Sequence, residues 1–225
     1  MRIAVYNSKG GAGKSPISTN IALEREYALG TNDSNHVYDM FLPEERFIYV
    51  DMETEFPIIP EDIDIVFDLA GSMSASSHSI TSAISQADLV IIPVFDQVSS
   101  IQGLKNTLRE VSRFNSSILV VPTKLEKERV GRDYENFGDD WAQCEKSQRL
   151  ATIAREIVPD VPVLPLKKSD VYDRITEKEK SIAQLMEDDP LRRHSFKVPN
   201  EQFNAIFNHI DTVEVHARKE QSKRA

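Results

Sequence analysis

Met1-Arg-Ile-Ala-Val-Tyr-Asn-Ser-Lys-Gly-Gly-Ala-Gly-Lys-Ser15 is the stretch on which the reading of this chain turns. Ile3, Ala4 and Val5 predict a short buried strand. Lys9-Gly10-Gly11-Ala12-Gly13-Lys14-Ser15 predicts a loop that enters a helix, with Pro16 tolerated in its first turn. Three glycines let backbone N–H groups point into one concavity, where they can cradle phosphate oxygens. Lys14 supplies charge for the outer phosphates, and the Ser15 hydroxyl suits Mg²⁺. Lys9, Gly10, Gly11, Ala12, Gly13, Lys14, Ser15 and Pro16 are therefore the candidate nucleotide contacts.

Working outward, apolar runs alternate with helical patterns. Runs at Ile3–Tyr6, Tyr27–Thr31, Phe47–Val50, Ile63–Phe67, Leu89–Val94, Ile118–Val121 and Val161–Leu164 read as strands. Helices are predicted near 15–25, 76–86, 99–114, 139–157, 169–187 and 200–217. That alternation implies an α/β fold, a mainly parallel sheet covered by helices on both faces. The stretch 124–138 reads as a surface loop with a short helix at most.

Asp62-Ile-Asp-Ile-Val-Phe-Asp68-Leu-Ala-Gly71 is a hydrophobic strand that ends in an aspartate and a small-residue turn. An aspartate at the carboxyl end of a central strand lies beside a phosphate loop and can hold a Mg²⁺-bound water. Asp68 and Ser15 are the candidate metal residues.

The phosphate loop departs from the ordinary pattern. Ser8 stands where the first glycine would be, and Lys9 is a second, early lysine. Lys9-Gly-Gly-x-Gly-Lys-Ser15 resembles the deviant Walker A motif of the ParA/MinD family, which also includes the nitrogenase iron protein. The resemblance extends through Asp68, a stretch 72–77 like that family's switch II, and Ala87-Asp88-Leu-Val-Ile-Ile-Pro93-Val. It covers roughly residues 1–125 and weakens afterwards. It implies ATP and Mg²⁺ as ligands, and a dimer in which Lys9 of one subunit reaches the other's nucleotide. It also implies slow, partner-stimulated ATP hydrolysis with Lys9, Lys14 and one further carboxylate in the catalytic set.

That carboxylate has two candidates. Asp51 ends Phe-Ile-Tyr-Val-Asp51-Met-Glu53 and superficially matches the family's Asp-x-Asp. Asp33 ends Tyr-Ala-Leu-Gly-Thr-Asn-Asp33. A helix, a connection and a strand of ordinary length total about 18–24 residues. Asp33 lies 19 residues after Lys14 and Asp51 lies 37 after. The spacing favours Asp33 and makes Phe47–Val50 an extra or edge strand. Farther on, the resemblance implies base recognition near Thr123 and Lys124. It makes Pro165 and Leu166 adenine-pocket candidates, with an ordinary strand-to-helix loop as the other reading.

The 225 residues fit a single P-loop ATPase domain over 1–217 with a basic, flexible tail at 218–225. The strand that begins at once leaves no signal peptide to expect. Cys144 is alone, which excludes an internal disulfide and suits a reducing, cytoplasmic setting. No Cys/His cluster suggests zinc. Net charge is −9, yet residues 191–225 carry 7 basic and 4 acidic side chains. Lys167, Lys168, Arg174, Arg192, Arg193 and Lys197 could contact DNA phosphates without sequence preference. Phe203, Ile206, Phe207, Ile210 and Val213 recur at helical spacing, and their acidic neighbours favour docking on the core over a membrane surface.

Three readings of function follow. The first is a ParA-like partition ATPase: a homodimerising switch that binds non-specific DNA, associates with the nucleoid when ATP-bound and works with a ParB-like protein. The second is a MinD-like positioning ATPase acting on a membrane or other cargo. The third is a metabolic ligase of the same superfamily.

Overall fold

A computed structural model describes residues 1–71 and 77–224, with side chains as far as Lys219. Most of the switch II-like stretch, residues 72–76, lies outside the described residues. Six strands form one parallel sheet: β1 (Arg2–Val5), β2 (Ala28–Thr31), β3 (Phe47–Tyr49), β4 (Ile65–Asp68), β5 (Leu89–Val94) and β6 (Ile118–Pro122). Their spatial order is β3-β2-β4-β1-β5-β6. The expected α/β architecture is therefore present, and Phe47–Tyr49 is the edge strand. β1 lies between β4 and β5, where the chain changes direction across the sheet. The crevice at the carboxyl ends of such strands is where ligands bind in this architecture.

The two faces follow from strand alternation. Ile3, Val5, Leu29, Val66, Ile91 and Val121 point to one core. Ala4, Tyr6, Phe67, Val90, Ile92 and Val120 point to the other. The first core is covered by α1 (Lys14–Glu24) and by three helices from the carboxyl third of the chain. The second is covered by α2 (His78–Gln86), α3 (Val98–Val111) and α4 (Glu145–Arg155).

Several predicted elements change at their ends. Val161–Leu164 adds only one bridge, Val163 beside Val120. The helix expected over 139–157 begins as a short turn, Trp141–Gln143, before α4. Cys144 is extended (φ −58°, ψ 131°) and separates the two. The helix expected over 169–187 is two, α5 (Val171–Lys178) and α6 (Ile182–Asp188). Glu179 is left-handed, which stops the first, and a Ser181–Gln184 capping box starts the second. The stretch 124–138 contains a small hairpin, β7 (Arg129–Val130) with β8 (Asp133–Tyr134).

The last helix, α7, spans Arg193–Arg224 and contains Pro199. It includes most of the stretch expected as a tail. Phe196, Phe203, Ile206, Phe207 and Ile210 are all buried against the core. Burying each is worth roughly 1.5–3 kcal/mol, so the apolar stripe is spent on docking. Arg25 fixes the contact from α1's end, stacking on Phe207 and pairing with Asp211 at 3.0 Å.

Gly30 lies in register between Phe67 on one neighbouring strand and Ile48 on the other. A Cβ there would stand 2.8 Å from the Phe67 ring and 3.1 Å from Phe56. Those rings meet edge to face at 4.8 Å. Gly30→Ala is expected to cost about 1–3 kcal/mol through overpacking, read as a fall in thermal midpoint with the site residues untouched.

Candidate nucleotide site

The loop after β1 turns through Gly11 (φ 73°) and Gly13 (φ 93°), conformations that L side chains rarely adopt. Gly13 is the residue before α1, and no side chain caps it or adds an acid to the first turn. The helix thus presents its amino end uncapped, the usual seat for an anion. The loop is braced from three sides. Thr123 at the end of β6 donates to the Ala12 carbonyl at 2.9 Å. Asn7 accepts from the Lys9 amide at 2.9 Å and donates to the Pro93 carbonyl. Gly71 comes so close that a Cβ would lie 3.0 Å from the Gly10 nitrogen and 3.1 Å from Lys14 Nζ. Gly103 of α3 lies similarly against Lys9 and Asn7.

Lys14 starts α1 and faces inward. Burial lowers its pKa, while Asp68 and Asp33 act in the opposite direction. Lys14 thus lies within electrostatic reach of Asp68 and Asp33. Asp33 follows β2, the strand beside β4. One of its carboxylate oxygens accepts from the Asn35 amide at 2.9 Å. Asp51 follows the edge strand one position farther out, is exposed, and accepts from the Tyr49 hydroxyl. It is not among the charges acting on Lys14.

Asp68 is only 4 % exposed. Its Oδ1 accepts from Ser18 Oγ at 3.1 Å and its Oδ2 from the Tyr38 hydroxyl at 2.6 Å. Burial pushes its pKa up, and the Tyr38, Ser15 and Ser18 hydroxyls with the Lys14 charge oppose the shift. A raised pKa means that the ionised form is the less comfortable one in the folded chain. Stability contributed at this position falls as pH rises through the folded pKa. Asp68→Asn is therefore expected to raise the melting temperature of the free protein at pH 7. The gain should shrink as pH falls and Asp68 in the parent chain takes up its proton.

The oxygen donors fit a magnesium ion in kind. Ser15 offers a hydroxyl next to one buried carboxylate, and a site of that sort is completed by water and phosphate. Among the described residues, no cluster of three or more His, Cys, Asp or Glu side chains could hold a metal by itself.

Beside the loop is a cleft of about 480 Å³ lined by Gly13, Pro16, Thr123, Lys124, Leu166 and Tyr172 among others. Its volume is in the range of small-molecule pockets. Leu166 lines it. Pro165 lines a separate cavity with Trp141, Val198 and Gln202. Tyr38 and Asn32 were not visible as site residues in the sequence. Asn32 accepts from the Ala70 amide and donates to Ser79, tying the turn after Asp68 to α2. Neither residue belongs to a motif, and Tyr38 is 30 residues from the partner that gives it meaning.

No family model and no curated protein matches the chain. Solved structures do. Apo McdA of Cyanothece aligns with a TM-score of 0.56 and 15% identity, covering 90% of this chain and 98% of that one. A plasmid partition protein of Borrelia burgdorferi bound to AMPPNP gives 0.54 and 14%, covering 90% and 98%. MinD of Aquifex aeolicus, a cell division protein, gives 0.52 and 16%, covering 90% and 96%. At these identities the likeness is one of architecture, and the chain has the ParA/MinD-type fold that its opening loop led us to expect.

Proposed function

We propose that this chain is a ParA-like ATPase. In this reading it is an ATP-dependent dimerisation switch that binds non-specific DNA and segregates plasmid or chromosomal DNA with a ParB-like partner. The observation that carries the reading is a glycine loop that begins with Lys9 and seats Lys14 within electrostatic reach of Asp68, at the end of β4, and Asp33, just past the end of the neighbouring β2. The fold neighbours support it. The Borrelia partition protein was solved with AMPPNP, MinD of Pyrococcus horikoshii with Mg-ADP, and Aquifex MinD in complex with MinC.

The chemistry needs little beyond positioning and charge. Loop N–H groups and Lys14 stabilise the negative charge of the transferring phosphoryl group. Ser15 and Asp68 would hold Mg²⁺, directly or through water, and the ion would supply positive charge to the phosphates. Asp33 orients the attacking water. Lys9 acts on the partner subunit's nucleotide, so the site is complete only in the dimer and turnover is slow alone. The cleft lined by Leu166 and Thr123 takes the base, with adenine favoured by resemblance.

DNA contact falls to the basic residues around α5 and the start of α7. Several are engaged in ion pairs: Lys168 with Glu126, Arg174 with Asp170, Arg192 with Asp170 and Asp189, Lys197 with Glu201. Exposed pairs of this kind are worth little and can be exchanged for phosphate. No helix among the described residues is long and apolar enough to cross a membrane. The docked α7 stripe also weighs against a membrane-surface helix. A DNA-binding titration with ADP, ATP and a non-hydrolysable analogue, repeated with Lys9→Ala, tests the proposal. Binding that requires ATP and is lost in the variant supports it. Binding indifferent to nucleotide contradicts it.

A further inference from the structure

Tyr38 belongs to no motif, yet it reaches the centre of the site. It lies in the segment between β2 and β3, in a short 3-10 turn, Tyr38–Met40. The residue is 3 % exposed. Its hydroxyl donates to Asp68 Oδ2 at 2.6 Å, and the Ser15 and Thr19 hydroxyls also act on the phenol. Ser15 and Asp68 are the two side chains suited to the cation. The phenol hydrogen-bonds to Asp68 and also interacts with Ser15.

We propose that the Tyr38 hydroxyl is a placeholder in the cation position. On this proposal, loading of Mg²⁺ requires the segment 33–46 to shift, so that the phenol couples cation entry to the placement of Asp33. The inference rests on the nucleotide reading above.

Three observations support the coupling. Asp68 is buried and needs donors on both oxygens; with Ser18 on one, Tyr38 satisfies the other. An unpaired buried carboxylate is costly, so the phenol stabilises the cation-free state. A Mg²⁺ ion demands short, regular oxygen contacts and keeps several waters. Such waters would need an acceptor on Asp68, and Oδ2 is engaged by the phenol. Finally, Tyr38 and Asp33 share one short loop. The Asp33 carbonyl accepts from the His36 amide, and the rings of His36 and Tyr38 are parallel with centroids 6.3 Å apart. Phe41 and Phe47 flank the Tyr38 ring at 5.9 and 6.2 Å. Displacing the phenol therefore disturbs the backbone that carries Asp33.

Tyr38→Phe keeps the ring and removes only the competing hydroxyl. The full-length protein is loaded with fluorescent ADP, and MgCl₂ is titrated against it. The half-saturating Mg²⁺ concentration is expected to fall roughly tenfold in the variant, as for loss of a hydrogen bond to a charged group. An unchanged or higher value overturns the proposal, since a merely structural tyrosine would leave cation affinity alone or weaken it. A second measurement needs no variant. Hydrogen exchange of residues 37–42 in the parent protein should rise when Mg²⁺ is added to the ADP complex. Exchange that stays the same or falls also overturns it. Failure to bind ADP at all would remove the nucleotide reading and this inference with it. ADP binding with an unaltered Mg²⁺ response would remove this inference alone.

Discussion

Lys14→Ala is expected to lower ATP turnover by roughly two to three orders of magnitude with the fold intact. The lysine is largely withdrawn from water, and burial lowers its pKa against the pull of Asp68 and Asp33. A charge held that way contributes little to stability and is available for phosphate. Asp68 keeps its Ser18 and Tyr38 donors when the lysine is gone. The thermal midpoint should therefore move little, while phosphate release nearly disappears. A variant that loses both would mean that Lys14 is chiefly structural.

The second large effect separates the two aspartates. Asp33→Ala should reduce turnover by about 10²–10⁴-fold, the range of a positioned base or water-orienting group. Asp51→Ala should stay within about twofold of the parent, an effect no larger than an exposed substitution gives. The difference has a geometric cause. β2 pairs directly with β4, so its carboxyl end opens beside Asp68 and Lys14. β3 pairs only with β2 and carries Asp51 to the outer edge, where Tyr49 donates to it. Phosphate release by both variants, with ATP saturating, decides the matter. Loss in Asp51→Ala with retention in Asp33→Ala would reverse the assignment.

The parts of the molecule written in local pattern were legible in the sequence. Glycines and Lys14 announced the loop, and the unbroken apolar run from Ile3 to Tyr6 announced a short buried strand, which the structure buries on both faces. The ruler from Lys14 favoured Asp33 over the better-looking Asp51 as the candidate carboxylate. Helix ends were harder. The Ser181-x-x-Gln184 capping box stood in plain sight inside a stretch read as one helix. The last helix was expected from about 200, but it begins at Arg193 and passes through Pro199, with buried Phe196 anchoring its first turns. Tyr38 could not be read at all. Its role depends on the segment 32–46 folding back over the sheet, and no periodicity encodes that return. Pro165 and Leu166 were taken together, whereas adjacent positions on an extended segment face opposite ways. Only Leu166 turns to the cleft beside the loop.

In the proposed reading Lys9 separates a generic phosphate loop from a dimerising switch, and the mass of the particle in solution tests that claim most directly. Light scattering should give a monomer for the parent protein with ADP. It should give twice that mass with Mg²⁺ and a non-hydrolysable ATP analogue, and a monomer for Lys9→Ala in both conditions. A parent protein whose mass ignores nucleotide, or a Lys9→Ala variant that still doubles, would contradict the account.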